Sequence, residues 1–359
     1  MYYDNLKLPE TDLWQYLTKT EKPVVLYGMG NGAEKIYNKL MSLNVKVSDF
    51  FASDEFVRGH SFLGYKVQKL SEIRSKYDDC IVLLCFATSL DDVIKRISDI
   101  SKIYELYAPD VPVAGSTVFD IEFAEKNYSL LNEAYKSLAD IKSKEVFQDI
   151  INYKLSGDIN YLFDADTDKR EVFSDILKLS HEENFLDLGA YNGDTVRELL
   201  AYTNGKANKI LAVEPDRRSY KKLCKYVEES KLNFIQTVNC AVSNENSEQY
   251  FSNQGGRMSV LTEGSGVLAQ VKSVDAVCGE YGFKPTYIKM DLEGEEYNAL
   301  KGALSTVKVC KPKLLVSAYH RSEDIFKLII YIKQICPEYN IFLRKHKYIP
   351  AWDVNIYAV

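Results

Sequence analysis

The sequence predicts an α/β protein made of two sheet units joined by helices. The second unit is expected to be a doubly wound, mostly parallel sheet closed by an antiparallel hairpin. Three observations predict this. Twice, at 23–43 and again from residue 184, an apolar run ends in a glycine-bearing turn and passes into a segment of helical spacing. After each, apolar runs of strand length follow in series. At 359 residues the chain is too long for one ordinary core, and with 46% hydrophobic residues it can fill two.

The first unit is placed at 1–115 as a small Rossmann-like domain. Residues 24–27 read as a buried strand, and Gly28, Gly30 and Gly32 as its turn. Ile36, Leu40 and Leu43 then share one helical face. Runs at 45–53, 81–87 and 104–109 are further strands, with DDVIKRISDI a helix between the last two. Alternation of strand and helix implies a parallel sheet. Residues 116–180 are expected to be a helical connector. Its apolar stripe at Phe147, Ile150, Ile151 and 153–155 reads as packing between domains.

The third segment, 181–359, opens with the strand FLDL, the turn 189–193, and a helix with Val196, Leu199 and Leu200 on one face. KILAVEP, NFIQTVNCAV, TYIKMDLEG and KLLVSAYH are the next strands. YNIFLRKH and DVNIYAV are joined by a short YIPAW turn with no helix between them, so they are expected to pair antiparallel.

Composition excludes several classes. The net charge is −6 and no basic run occurs, so no nucleic-acid partner is expected. No apolar run approaches the roughly 20 residues that span a bilayer. The N-terminus is acidic and polar rather than a secretory signal, so the chain reads as cytoplasmic. Its seven cysteines include no CxxC pair and read as reduced and structural.

In open α/β sheets ligands bind beyond the carboxyl ends of the strands. After the first strand of the second unit stand Asp187, Gly189, Ala190, Tyr191, Gly193, Asp194 and Thr195. The glycines permit a tight turn, and the following helix aims its amides at the same spot. Glu214 lies at the end of the next strand, 25 residues beyond Gly189. A carboxylate there accepts from both hydroxyls of a ribose. The small residues Cys240 and Ala241 follow the third strand and leave room for a flat ring. The fourth ends in Asp291, Glu293, Glu295 and Glu296, which need a positive partner: a sulfonium, a metal ion or Lys289.

FLDLGAYNGDT, VEPD, NCAVSN, IKMDLEGEE with ALKGA, and LLVSAYH resemble the motifs of FkbM-type methyltransferases, from about residue 183 to the end. The resemblance implies S-adenosyl-L-methionine as cofactor. Asp187, Gly189, Gly193 and Asp194 would lie along its methionine and ribose part, Glu214 at the ribose hydroxyls, and Cys240 and Ala241 near the adenine. It further implies a small-molecule acceptor, such as the hydroxyl of a sugar or glycan precursor. The N-terminal unit resembles a small nucleotide-binding domain, which would place Gly28, Gly30 and Asp54 at a nucleotide.

Methyl transfer to a hydroxyl needs a proton acceptor within about 2.6–3.2 Å. Asp291, Glu293 and His320 are the candidates, His320 because its ordinary pKa is near neutrality. Asp291, Glu293 and Glu296 are also oxygen donors suited to a cation, with His320 available to a transition metal, but a metal-free site is the reading adopted. The loop 255–266 reads as mobile, with Arg257 solvated. Two other functional classes stay open. One is a nicotinamide-dependent oxidoreductase using the first glycine turn. The other is a nucleotide-binding sensor or scaffold without catalysis.

Overall fold

The computed structural model describes residues 4–251, 261–262 and 267–359. The first sheet comprises β1 (Val24–Tyr27), β2 (Val47–Ala52), β3 (Ser61–Phe62), β4 (Tyr65–Lys69), β5 (Ile81–Leu84) and β6 (Glu105–Tyr107). Their order is β3-β4-β2-β1-β5-β6, parallel throughout except for the β3–β4 hairpin. That hairpin is an addition to the sequence reading. It lies in SFLGYKV, too short and polar to show a strand period.

The main sheet of the second unit contains β7 (Asn184–Leu188), β8 (Lys209–Val213) and β9 (Ile235–Val238). A separate small sheet follows from β10 (Ala241–Ser243), β11 (Ser247–Phe251), β12 (Leu261–Thr262) and β13 (Val267–Ser273). The chain then returns to the main sheet with β14 (Tyr287–Met290), β15 (Lys313–Ser317), β16 (Ile341–Lys345) and β17 (Val354–Ala358). The main order is β16-β17-β15-β14-β7-β8-β9. β7, β8, β9, β14 and β15 are parallel, and β17 pairs antiparallel with both β15 and β16. The expected closing hairpin is therefore present.

NFIQTVNCAV, read as one strand, breaks in two. β9 stops at Val238, and β10 joins β13 in the small sheet. The cause is Asn239, whose Nδ2 donates to the carbonyls of Glu214 (2.8 Å) and Pro215 (3.1 Å) and ties the chain down at the corner. The small sheet was hidden because β11 is mostly polar, β12 spans two residues, and glycines stand between them in the sequence. Most of the loop expected at 255–266, Arg257 included, lies outside the described residues, while 261–262 form β12.

The connector is helical as expected, with helices including Tyr128–Ser137 and Ile141–Ser156. Its apolar stripe is buried, and one continuous core holds Val25 and Val82 of the first sheet, Phe147 and Ile150 of the connector, and Leu186 and Ile288 of the second sheet. The connector also covers the edge strand β16. Arg344 pairs with Asp140 at 2.6 Å, Lys345 pairs with Asp166, and isolated bridges join Leu138 to Ile341 and Asp166 to Lys345. Covered edges do not recruit foreign strands.

Candidate functional site

The strand order reverses at β7, which has β8 on one side and β14 on the other. A cavity of about 360 Å³ opens beyond the carboxyl ends of β7, β8, β14 and β15. This is where a doubly wound sheet leaves a crevice for ligands.

Gly189 makes the crevice. Its φ is +81°, and a Cβ there would collide with the Asp291 carbonyl, so the turns after β7 and β14 touch. Of the residues expected beside a cofactor, Gly189, Tyr191, Asp194, Thr195, Glu214 and Ala241 line the cavity. Four stand behind it. Asp187 is fully buried and accepts from the Thr195 hydroxyl. Ala190 belongs to a core cluster. Gly193 packs on Leu223 and Tyr226 of the next helix. Cys240 is buried in the main core, and Val242 lines the cavity instead.

Glu214 is 6% exposed, with each oxygen fixed by one amide. Tyr191 N–H donates to Oε2 and Asp216 N–H to Oε1, both at 2.8 Å. Burial pushes its pKa up to about 7 against the opposing pull of those amides. Each oxygen keeps a lone pair for a further donor.

Asp291 and Glu293 line the cavity, and His320 lies wholly buried behind them. His320 Nε2 is 3.4 Å from Asp291 and 3.6 Å from Glu293, and Nδ1 is 2.9 Å from Glu296. Burial alone would lower the imidazolium pKa, but Glu296, Asp291 and Glu293 outweigh it and hold it up to about 10. The three candidates thus come together, and the carboxylates around His320 favour its protonated form when no other cation shares the cluster. Lys289 is the second counter-charge. Its Nζ donates to Gly189 O at 3.0 Å and lies 3.6 Å from Asp187 and 3.9 Å from Asp291. Burial opposes its charge, yet Asp187 and Asp291 keep the pKa raised. Arg321, 3.7 Å from Glu295, is the third. The acids therefore find partners within the chain.

The acidic loop is braced from the end of the first unit and the start of the connector. Gly294 has φ +101°, and its Cβ position is 2.6 Å from Ala114. Ala114 N–H donates to His320 O (2.8 Å), Ser322 Oγ to Thr117 O (2.6 Å), and Arg321 Nε to Gly294 O (2.7 Å).

Sequence reasoning missed an aromatic wall. Tyr348 and Trp352 line the cavity with Tyr319, their rings at 5.7 Å (Tyr348–Trp352) and 6.4 Å (Tyr319–Trp352), inclined by 27° and 26°. Trp352 lies in YIPAW, which the sequence presented only as a turn. Lys169 of the connector also reaches the cavity, held by Asp353 at 3.2 Å.

The first unit differs. Phe86 lies 2.7 Å from a Cβ built on Gly28, and the Cys85 carbonyl 2.6 Å from one on Gly32, so the chain itself fills the space against that turn. A cavity of about 200 Å³ nearby is lined by Met29, Lys35, Phe86 and Trp352, but not by Gly28, Gly30 or Asp54. Asp54 is exposed on a short 3₁₀ turn.

Residues 187–350 match the model of the "Methyltransferase FkbM domain". A solved structure of methyltransferase FkbM from Methylobacillus flagellatus KT is similar over 99% of this chain and 94% of its own, with a TM-score of 0.73 and 22% identity. The two share a fold along their whole length, the first unit included. Two others overlay 53% of this chain. They are a precorrin-6Y C5,15-methyltransferase from Geobacter metallireducens GS-15 (TM-score 0.34, 12% identity, 86% of that chain) and a fibrillarin from Aeropyrum pernix solved with S-adenosyl-L-methionine (0.34, 13%, 73%). No curated protein matches.

Proposed function

We propose, from the match of residues 187–350 to the FkbM methyltransferase domain model, that the chain uses S-adenosylmethionine to methylate a hydroxyl of a sugar or glycan precursor. The observation that carries the cofactor assignment is Glu214. Two amides fix its carboxylate at the reversal of the sheet, where it lines the cavity with one lone pair on each oxygen still unused by them. That geometry suits a ribose diol. Ala241 and Val242 give a small apolar wall for a flat base, and the acids Asp291 and Asp194 suit a ligand that carries a sulfonium and an ammonium group.

Bound, the cofactor supplies a methyl group already activated by its sulfonium. The protein's task is then to place the acceptor in line and take its proton. Asp291 and Glu293 face the cavity and fit the second task, with His320 and Lys289 holding them in place. Tyr348 and Trp352 favour a carbohydrate, because the C–H face of a sugar ring packs on aromatic rings while its hydroxyls reach the carboxylates.

Calorimetry tests the cofactor assignment. S-adenosylmethionine binds and NAD does not, and Glu214→Ala weakens binding by at least about tenfold, the loss expected for hydrogen bonds to a charged group. Binding of NAD in place of S-adenosylmethionine would sink the assignment. For the acceptor, Trp352→Ala should raise KM for a sugar substrate far more than it lowers kcat.

A further inference from the structure

The cluster behind the cavity wall has more binding capacity than its own contacts use. Asp291, Glu296 and His320 each present a donor atom, and the three atoms lie within 4.8 Å of one another. Glu296 is fully buried. Its Oε1 accepts from Leu292 N–H at 2.6 Å, but its Oε2 is buried with no hydrogen bond. His320 is likewise fully buried, and neither ring nitrogen makes an aligned hydrogen bond, although carboxylates stand 2.9–3.6 Å away. Buried polar atoms almost always have partners, so the unpartnered Glu296 Oε2, beside a histidine whose ring nitrogens meet their carboxylates out of line, calls for a ligand. A histidine serving only to lock the loop would point its N–H groups squarely at those carboxylates.

We propose that Asp291, Glu296 and His320 bind a divalent first-row metal ion at the inner wall of the cavity. Two carboxylate oxygens and an imidazole nitrogen suit manganese, iron or zinc better than calcium, which takes six to eight oxygens. The Glu296 carboxylate is held ready, because Oε1 is already pinned by the backbone of the same loop while Oε2 has no hydrogen bond. Glu293, 3.6 Å from His320 Nε2, lies close enough to join. Asp291 reaches both this cluster and the cavity, so an ion there would meet an acceptor hydroxyl and ease its deprotonation. This departs from the metal-free site expected from sequence. Its link to an acceptor rests on the methyltransferase reading; ion binding itself does not.

The test uses the full chain, MnCl₂, and the loss of the free Mn²⁺ electron paramagnetic resonance signal. Wild type should bind one ion per chain in the micromolar range. Asp291→Asn, a part-exposed position that leaves the buried pair intact, should weaken binding at least tenfold, and His320→Ala should abolish it. A circular dichroism spectrum matching wild type verifies that each variant is folded. Glu214→Ala should bind Mn²⁺ as wild type does. No saturable Mn²⁺ binding by wild type, or unchanged binding in both Asp291→Asn and His320→Ala, overturns the proposal. Mn²⁺ binding without S-adenosylmethionine binding would overturn the cofactor reading and leave this one standing. The reverse result would do the opposite.

Discussion

Three residues shape the candidate site: Gly189 and Glu214 line the cavity, and His320 lies behind its wall. Gly189 was legible in the sequence as a turn glycine, but the structure gives the sharper reason, which is contact with the Asp291 carbonyl. Gly189→Ala combines a positive φ with a collision against backbone. It should cost about 2 kcal/mol or more in urea unfolding and weaken cofactor binding. A fully stable variant would show that the two turns can separate. Glu214 was legible from spacing alone, whereas its raised pKa was not, because burial is a property of the fold. With a pKa of about 7, Glu214 is mostly neutral at pH 6 and ionised at pH 8. Ribose hydroxyls donate better to the ionised form. Affinity for S-adenosylmethionine should therefore rise about tenfold between those pH values, and Glu214→Gln should flatten the profile. His320 shows the limit of reading from type. Its ordinary pKa suggested a base, whereas in the fold three carboxylates gathered from one loop and one helix start hold that pKa up to about 10.

At the scale of elements, the strands that carry the site were legible because a buried parallel strand is a continuous apolar run. What failed was a boundary inside such a run. Nothing in NFIQTVNCAV marks the break at Asn239, since the break depends on carbonyls 24 and 25 positions earlier. Asn239→Ala should therefore loosen the Glu214–Pro215 corner, weakening cofactor binding while the far-ultraviolet spectrum stays unchanged. The connector offers a second test. Lys154, in the helix Ile141–Ser156, pairs with Asp110 at 2.9 Å, and both side chains are at least nine-tenths buried. Breaking a buried pair from one side strands a charge, so Lys154→Met should cost about 3–5 kcal/mol. Lys154→Met with Asp110→Leu should recover most of that loss in the same denaturation assay. Failure to recover would mean that the pair acts through more than charge.

For the whole molecule, two sheet units and a helical link were readable, but their fusion was not. Periodicity shows that a stripe will be buried, not what it will be buried against. Here the core passes from Val25 through Phe147 to Ile288 without a gap. Calorimetric unfolding should accordingly show one transition, with van't Hoff and calorimetric enthalpies in agreement. Two resolved transitions would refute that coupling. The bracing of the acidic loop carries a consequence for protein engineering. Ala114 N–H holds the His320 carbonyl and Thr117 O takes the Ser322 hydroxyl, so the stretch leaving the first sheet props the candidate site from outside residues 187–350. A chimera that grafts residues 187–350 onto a foreign front half would keep the proposed cofactor pocket and lose the support of the proposed acceptor side. Such a hybrid should still capture the methyl donor yet turn over poorly, until residues 111–118 are transplanted with it.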